Sequence, residues 1–89
     1  MDFIKENNRV YLKDLNGEII AYVTFPEENG VCVIDHTVVS PTLRGQGVAG
    51  KLLMNAYEVI KERGMKCKPV CSYAVGWFEK NPDKRDILI

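Results

Sequence analysis

With 89 residues, 46% of them hydrophobic and 27% charged, the chain has ordinary globular composition and room for one domain, residues 1–89. Lysine plus arginine and aspartate plus glutamate both total 12, so the net charge is zero and no basic stripe is left for a nucleic-acid backbone. No apolar run approaches the ~20 residues of a membrane span, and Asp2, Lys5 and Glu6 sit where a signal peptide would be apolar, so a cytoplasmic address is expected.

Phe3-Ile4 and Val10-Tyr11-Leu12 are short apolar stretches around a polar turn and predict a first strand or a broken pair. Asn16-Gly17 predicts a two-residue type I′ turn, with Ile19 to Phe25 as the returning strand. Pro26 to Gly30 reads as a second turn. Val31 to Val39, apolar on both parities apart from Asp35-His36-Thr37, predicts one central strand covered on both faces and ended by Ser40-Pro41.

From Val48 to Arg63 the residues Ala49, Leu52, Leu53, Ala56, Tyr57 and Ile60 recur at helical spacing, and Gly64 is expected just past the helix end. Met65 to Cys71 predicts a strand parallel to the one before the helix, with Pro69 placing it at a sheet edge. Ser72 is the expected cap of a short last helix through Trp77 and Phe78, stopped by Asn81-Pro82. Ile87, Leu88 and Ile89 are expected to pack back on the body. The fold class is thus α+β with an α/β element at its centre: antiparallel strands, a β-loop-α-β crossover and a short C-terminal helix.

The join between strand and long helix reads Val38-Val-Ser-Pro-Thr-Leu-Arg-Gly-Gln-Gly-Val-Ala-Gly50. A helix N-terminus offers unpaired N–H groups and partial positive charge, and Gly45, Gly47 and Gly50 let a phosphate approach the backbone. The expected ligand is a phosphorylated cofactor, with Arg44 adding a cation. Gly45-Gln-Gly47-Val-Ala-Gly50 also fits a dinucleotide pattern, but no acidic residue occurs between Arg63 and Glu79 to take a ribose. Gly45 to Lys51 fits most of a nucleotide-hydrolase loop, but Leu52 stands where a Mg²⁺-binding hydroxyl belongs.

Arg44-x-x-Gly47-x-Ala49 at a helix start, preceded by Val39-Ser-Pro41, resembles the acetyl-CoA motif of the GNAT (GCN5-related N-acetyltransferase) superfamily. The order of elements from Ile19 to Phe78 resembles that family's core. His36-Thr37, Cys71 and Trp77-Phe78-Glu-Lys-Asn-Pro82 are similar to features of its compact GNAT-like members. The resemblance implies that Arg44, Gly45, Gln46, Gly47, Val48, Ala49 and Gly50 hold the CoA pyrophosphate, and that Val38 and Val39 bind the pantetheine arm and offer N–H groups to an oxyanion. It implies acetyl transfer from acetyl-CoA to an amine, of a small molecule or a peptide. The chain has no room for the N-terminal helices with which longer members bind that amine. A CoA-binding sensor or adaptor with little catalysis is the alternative.

His36, the one histidine, reads either as a hydrogen-bonded strand residue or as a base, since an imidazole with a pKa near 6.5 suits proton transfer at neutral pH. Cys71, just before a helix, reads as nucleophile, base or packing residue, with the helix dipole favouring its thiolate. Cys32 and Cys67 read as small core fillers, and the odd count of three cysteines predicts free thiols. No metal site is expected, because one histidine and scattered thiols do not make a zinc set. Tyr73, Trp77 and Phe78 read as core aromatics, with Tyr73 also placed to line the cofactor groove. The oligomeric state is open, and a monomer fits.

Overall fold

The computed structural model describes residues 1–89. Its strands are β1 (Ile4–Lys5), β2 (Arg9–Lys13), β3 (Ile19–Thr24), β4 (Glu27–Glu28), β5 (Val31–Ile34), β6 (His36–Val39) and β7 (Lys66–Pro69). Helix α1 (Val48–Glu62) is preceded by a 3₁₀ turn at Pro41–Leu43, and α2 (Ser72–Lys80) is followed by one at Pro82–Ile87. One sheet runs β1-β2-β3-β6, all antiparallel, and a second runs β4-β5-β7 with β5 and β7 parallel. The order expected from Ile19 to Phe78 is therefore present.

The apolar stripe of α1 explains its position. Val48, Leu52, Leu53, Ala56, Tyr57 and Ile60 are all buried, against a cluster that includes Val10 and Leu12 of β2, Ala21 and Val23 of β3, and Phe25. Leu52, Leu53 and Ile60 are at most 1% exposed, and burying each contributes roughly 1.5–3 kcal/mol. Tyr11, on the other face of β2, is shielded by the Arg9 guanidinium 4.3 Å above its ring and by Lys13 at 5.7 Å. No helix is long and apolar enough to cross a membrane.

The expected central strand from Val31 to Val39 is instead two strands in two sheets. Between the pairs Thr24–His36 and Glu27–Cys32, Phe25 and Pro26 stand on one side and Val33, Ile34 and Asp35 on the other, so the second strand carries one extra residue. The Asp35 N–H donates to the Thr24 carbonyl at 3.2 Å, and Thr24 also pairs with His36: a β-bulge. One extra residue switches which parity faces the core. Cys32 and Ile34 are buried before it; beyond it Thr37 and Val39 are half-buried while His36 and Val38 are exposed, so the strand is not covered on both faces.

Other departures are local. The hairpin between β2 and β3 is wider than a type I′ turn: Gly17 has φ +82°, Asn16 does not have positive φ, and the Asp14 carboxylate accepts from the N–H groups of Asn16 and Glu18. An aspartate that satisfies two loop N–H groups favours the longer loop. The turn from Pro26 contains β4, and β7 is shorter than Met65 to Cys71, because the Val70 and Cys71 N–H groups both turn to the Ile34 carbonyl. β7 pairs with β5, not with β6, the piece that leads into the helix. Cys71, not Ser72, caps α2. At the C-terminal end Ile87 is buried and Leu88 bridges to Cys67, but Ile89 is 71% exposed.

Candidate functional site

The glycine loop sits where β6 feeds α1. Gly45 and Gly47 have φ of +80° and +68°, a region where an L side chain costs about 1–2 kcal/mol, and no neighbour lies within 4 Å of a Cβ at either. Gly47 is the N-cap of α1 and supplies no side chain to its N–H groups, and the first turn holds no acidic residue. From Gly45 to Gly50 no backbone N–H donates to a backbone carbonyl. Consecutive donors in a left-handed bend running into a helix N-terminus form a concavity for an anion.

A groove of about 210 Å³ opens beside this loop, lined by Val39, Leu43, Arg44, Gly45, Gly47, Val48, Ala49 and Tyr73. Seven of these are residues expected at the cofactor; Leu43 is new. Gln46 lies in the loop but outside the lining, and Gly50 faces α2, where a Cβ would meet the Tyr73 hydroxyl at 3.7 Å.

Beyond Asp35 the sheets part, and β6 becomes an edge. Ser40 N–H donates to the Ile20 carbonyl at 2.8 Å, and antiparallel alternation puts Val38 and His36 in the same hydrogen-bonded set with β3. The N–H and C=O groups of Thr37 and Val39 therefore point to the open edge. The sequence marks Thr37 only as part of the His36-Thr37 pair; that its backbone groups face the open edge depends on the one-residue bulge, which leaves no mark in composition.

At the apex of this fork the Thr37 hydroxyl lies 3.4 Å from Cys71 Sγ. The same sulfur accepts from the Ala74 N–H at 3.4 Å, so Cys71 is held at the N-terminus of α2 with partial exposure. Cys32 and Cys67 lie in adjacent register in the closed part of the sheet and are 0% exposed. Burial raises the Cys32 thiol pKa and pushes that of Cys67 up to about 12, with the nearby Cys32 adding to the latter. Both thiols are inert fillers; Cys71 is the accessible one.

His36 is exposed on the outer sheet face, the side away from Thr37 and Val39. It lies in one transverse row with Thr24 and Arg9. Arg9 and Thr24, with Glu6, Asn7, Asn8, Pro26 and Asp35, line a polar cavity of about 510 Å³ on that face. This largest cavity is remote from the glycine loop. Thr24 donates its hydroxyl to the Asp35 carboxylate there. No three His, Cys, Asp or Glu side chains converge as metal ligands.

Residues 9–87 match the model of the GCN5-related N-acetyl-transferase family. The chain is similar to a GCN5-like, provisionally assigned N-acetyltransferase from Staphylococcus aureus, solved by NMR: 33% identity over 99% of this chain and 87% of that one, TM-score 0.77. A provisionally assigned acetyltransferase from Agrobacterium tumefaciens matches at 20% identity and TM-score 0.61, over 89% of this chain and 57% of that one. An acetyltransferase from Trypanosoma brucei matches at 22% identity and TM-score 0.59, over 82% of this chain and 58% of that one. At such identities these two attest the fold alone. A search of curated proteins gives no match. The loop, the fork and a family match that spans nearly the whole fold converge: the chain belongs to the GCN5-related N-acetyltransferase family.

Proposed function

We propose that the protein uses acetyl-CoA as donor and an amine as acceptor, with the pyrophosphate on the Gly45–Gly50 N–H groups and the pantetheine arm along the open edge of β6. The observation that carries this reading is the run of unpaired N–H groups at the start of α1, flanked by Arg44 and free of carboxylates. When bound, acetyl-CoA supplies an acetyl group activated as a thioester. The N–H and C=O groups of Thr37 and Val39 hold an extended arm by strand-like pairing, and an N–H of this set, rather than that of Val38, is placed to donate to a developing oxyanion.

A lysine-type amine has a pKa near 10.4 and must lose a proton before it attacks. Two groups of this chain serve that step. Cys71 Sγ stands at the fork, hydrogen-bonded by Ala74 N–H and in contact with the Thr37 hydroxyl, and can take a proton or the acetyl group itself. His36 offers its imidazole on the outer face, beside the polar cavity, where an amine has room to approach. The acceptor is an amine of a small molecule or a peptide.

Calorimetry with CoA tests the reading through Gly47→Val. A β-branched residue at φ +68° strains the loop and fills the anion cradle, so binding is expected to vanish while circular dichroism keeps its shape. Unchanged affinity in the folded variant would overturn it. Release of free CoA, assayed over a panel of amines and peptides, identifies the acceptor; binding without amine-stimulated release would make the protein a CoA-binding module instead. Incubation with acetyl-CoA alone separates the two roles of Cys71: an acetyl adduct marks a nucleophile, and its absence with slowed turnover in Cys71→Ala marks a base.

A further inference from the structure

The largest hollow in the molecule, about 510 Å³, lies away from the glycine loop, and no hydrophobic residue lines it. Its size falls within the roughly 300–1,000 Å³ of small-molecule sites, but those are lined mainly by apolar side chains, so a wholly polar wall points to a polar ligand. It opens on the outer sheet face between the β1–β2 turn and the end of β3, and the bulge residue Asp35 forms part of its wall. Glu6 and Asn7 also line a second hollow of about 360 Å³, so the two are contiguous.

The charges around these hollows are paired unevenly. Arg9 is bound to Glu6 and lies 4.3 Å over the Tyr11 ring. In the second hollow Lys5 pairs with Glu58 at 3.3 Å and Arg63 with Glu27 at 3.1 Å. Every lysine and arginine of the two walls thus has a carboxylate of this chain, while two carboxylates of the walls, Asp35 and Glu62, have no cation. Glu62 is an exposed helix residue, but Asp35 is half-buried, and its carboxylate accepts only from the Thr24 hydroxyl. A hydroxyl fills part of a carboxylate's hydrogen-bonding capacity and offsets none of its charge. A half-buried carboxylate left so, on the wall of an open hollow, is a seat for a cation from outside the chain.

His36 stands in one transverse row with Thr24 and Arg9, and Thr37, just past it in the chain, is at the fork with Cys71. The hollow therefore adjoins the place where a thioester is presented. Resting on the acetyl-CoA reading above, we propose that the acceptor is a linear aliphatic diamine or polyamine, seated in this hollow with one ammonium on Asp35 and another amine at the fork. An ammonium is a donor only, which matches a carboxylate with acceptor capacity to spare. The near amine loses its proton, its nitrogen bonds to the acetyl carbon as the C–S bond breaks, and the proton ends on the CoA thiol. The far ammonium stays charged throughout, so it contributes to binding and not to the chemical step. Glu62, beyond the shared wall, offers a longer polyamine a third position. A monoamine has nothing to place at Asp35.

1,4-Diaminobutane and butylamine share a carbon chain and differ by one cation. In NMR titrations the diamine is expected to shift the Thr24 and Asp35 amides at concentrations roughly tenfold below those that butylamine needs. With saturating acetyl-CoA, Asp35→Asn should raise KM for the diamine roughly tenfold, erasing its advantage over butylamine, with kcat little moved. Asparagine can still accept from Thr24, so the bulge is kept, and calorimetry should give this variant wild-type affinity for CoA. A merely structural role would move kcat, both amines and CoA together. Glu62→Gln, on the exposed surface of α1, should weaken the triamine spermidine several-fold and leave the diamine as it is. Equal titration by the two amines, an unaltered diamine KM in Asp35→Asn, or a lysine peptide used better than the diamine would overturn the seat, and the cofactor reading stands if CoA binds. If CoA does not bind, the acetyl-CoA reading falls and the acceptor role with it, whatever the amines do.

Discussion

The three cysteines divide between two halves of one β-structure, and the contrast between them shows where chemistry is available. Below Asp35, β5 and β7 are paired from Val31–Lys66 to Ile34–Pro69, and this closed half holds Cys32 and Cys67 with no exposed surface. Above it β6 leaves with β3, the chain after β7 turns into α2, and Cys71 stands at the fork with its sulfur against Thr37. The same side chain is a packing atom in one half and an addressable group in the other. What separates the halves is one inserted residue, which parts the strands where a groove is needed.

The closed half carries stability, so its variants have the largest effects. Ile34 is 1% exposed and its carbonyl anchors both Val70 and Cys71 N–H groups; Ile34→Ala is expected to cost about 2–5 kcal/mol in urea denaturation and to loosen the fork with it. Arg44→Ala acts on the open half alone. It should weaken CoA by about 1.5 kcal/mol, the low end for a hydrogen bond to a charged group since Arg44 is exposed, and leave the urea midpoint in place. Equal losses for CoA and for pantetheine would assign Arg44 elsewhere.

The thiols give a pH test of the same contrast. Cys32 and Cys67 have raised pKa values when folded, so above about pH 9 the unfolded chain loses protons that the folded chain keeps, and stability falls as pH rises. The expected slope approaches 1.4 kcal/mol per pH unit for Cys67, Cys32 adds in the same direction, and Cys67→Ala should lessen it. Alkylation of the folded protein should modify Cys71 alone, and CoA should protect it. Modification of Cys32 or Cys67 at the same rate would erase the distinction.

The smallest expected effect lies away from both halves. Asp86 accepts from the Tyr57 hydroxyl at 2.9 Å and pairs with Lys61 at 2.9 Å. Its pKa is lowered by the Lys61 hydrogen bond first and by Tyr57 second. A carboxylate held below its unfolded pKa of about 3.9 stabilises above that pH and ceases to as pH falls through its folded value. The melting temperature of Asp86→Asn should therefore lie slightly below wild type near neutrality and converge on it in acid.

Much of this was legible in the chain. The period of Leu52, Leu53, Ala56, Tyr57 and Ile60 defines α1, and three glycines beside Arg44 mark the loop, because each is a local signal. The bulge was not: Val31 to Val39 is apolar on both parities, so nothing in it states which residues face the core, and the split at Asp35 depends on pairing with β3 and β7. Cys71 as a cap was unreadable for a related reason, since sulfur is a weak acceptor and the neighbouring Ser72 is the better capping residue. Trp77 and Phe78 read as core aromatics and are buried, edge-to-face at 5.0 Å.

The open edge of β6 has a further consequence. A strand that keeps N–H and C=O groups free for an extended ligand also offers them to any other extended chain, including another copy of itself. The hazard is contained by shortness: only Thr37 and Val39 present free groups between the bulge at Asp35 and Pro41, too few to template a long ladder. Occupancy of the groove would cover them, so CoA should slow both hydrogen exchange at Thr37 and Val39 and aggregation on heating. The ligand would then serve this small protein as its missing strand.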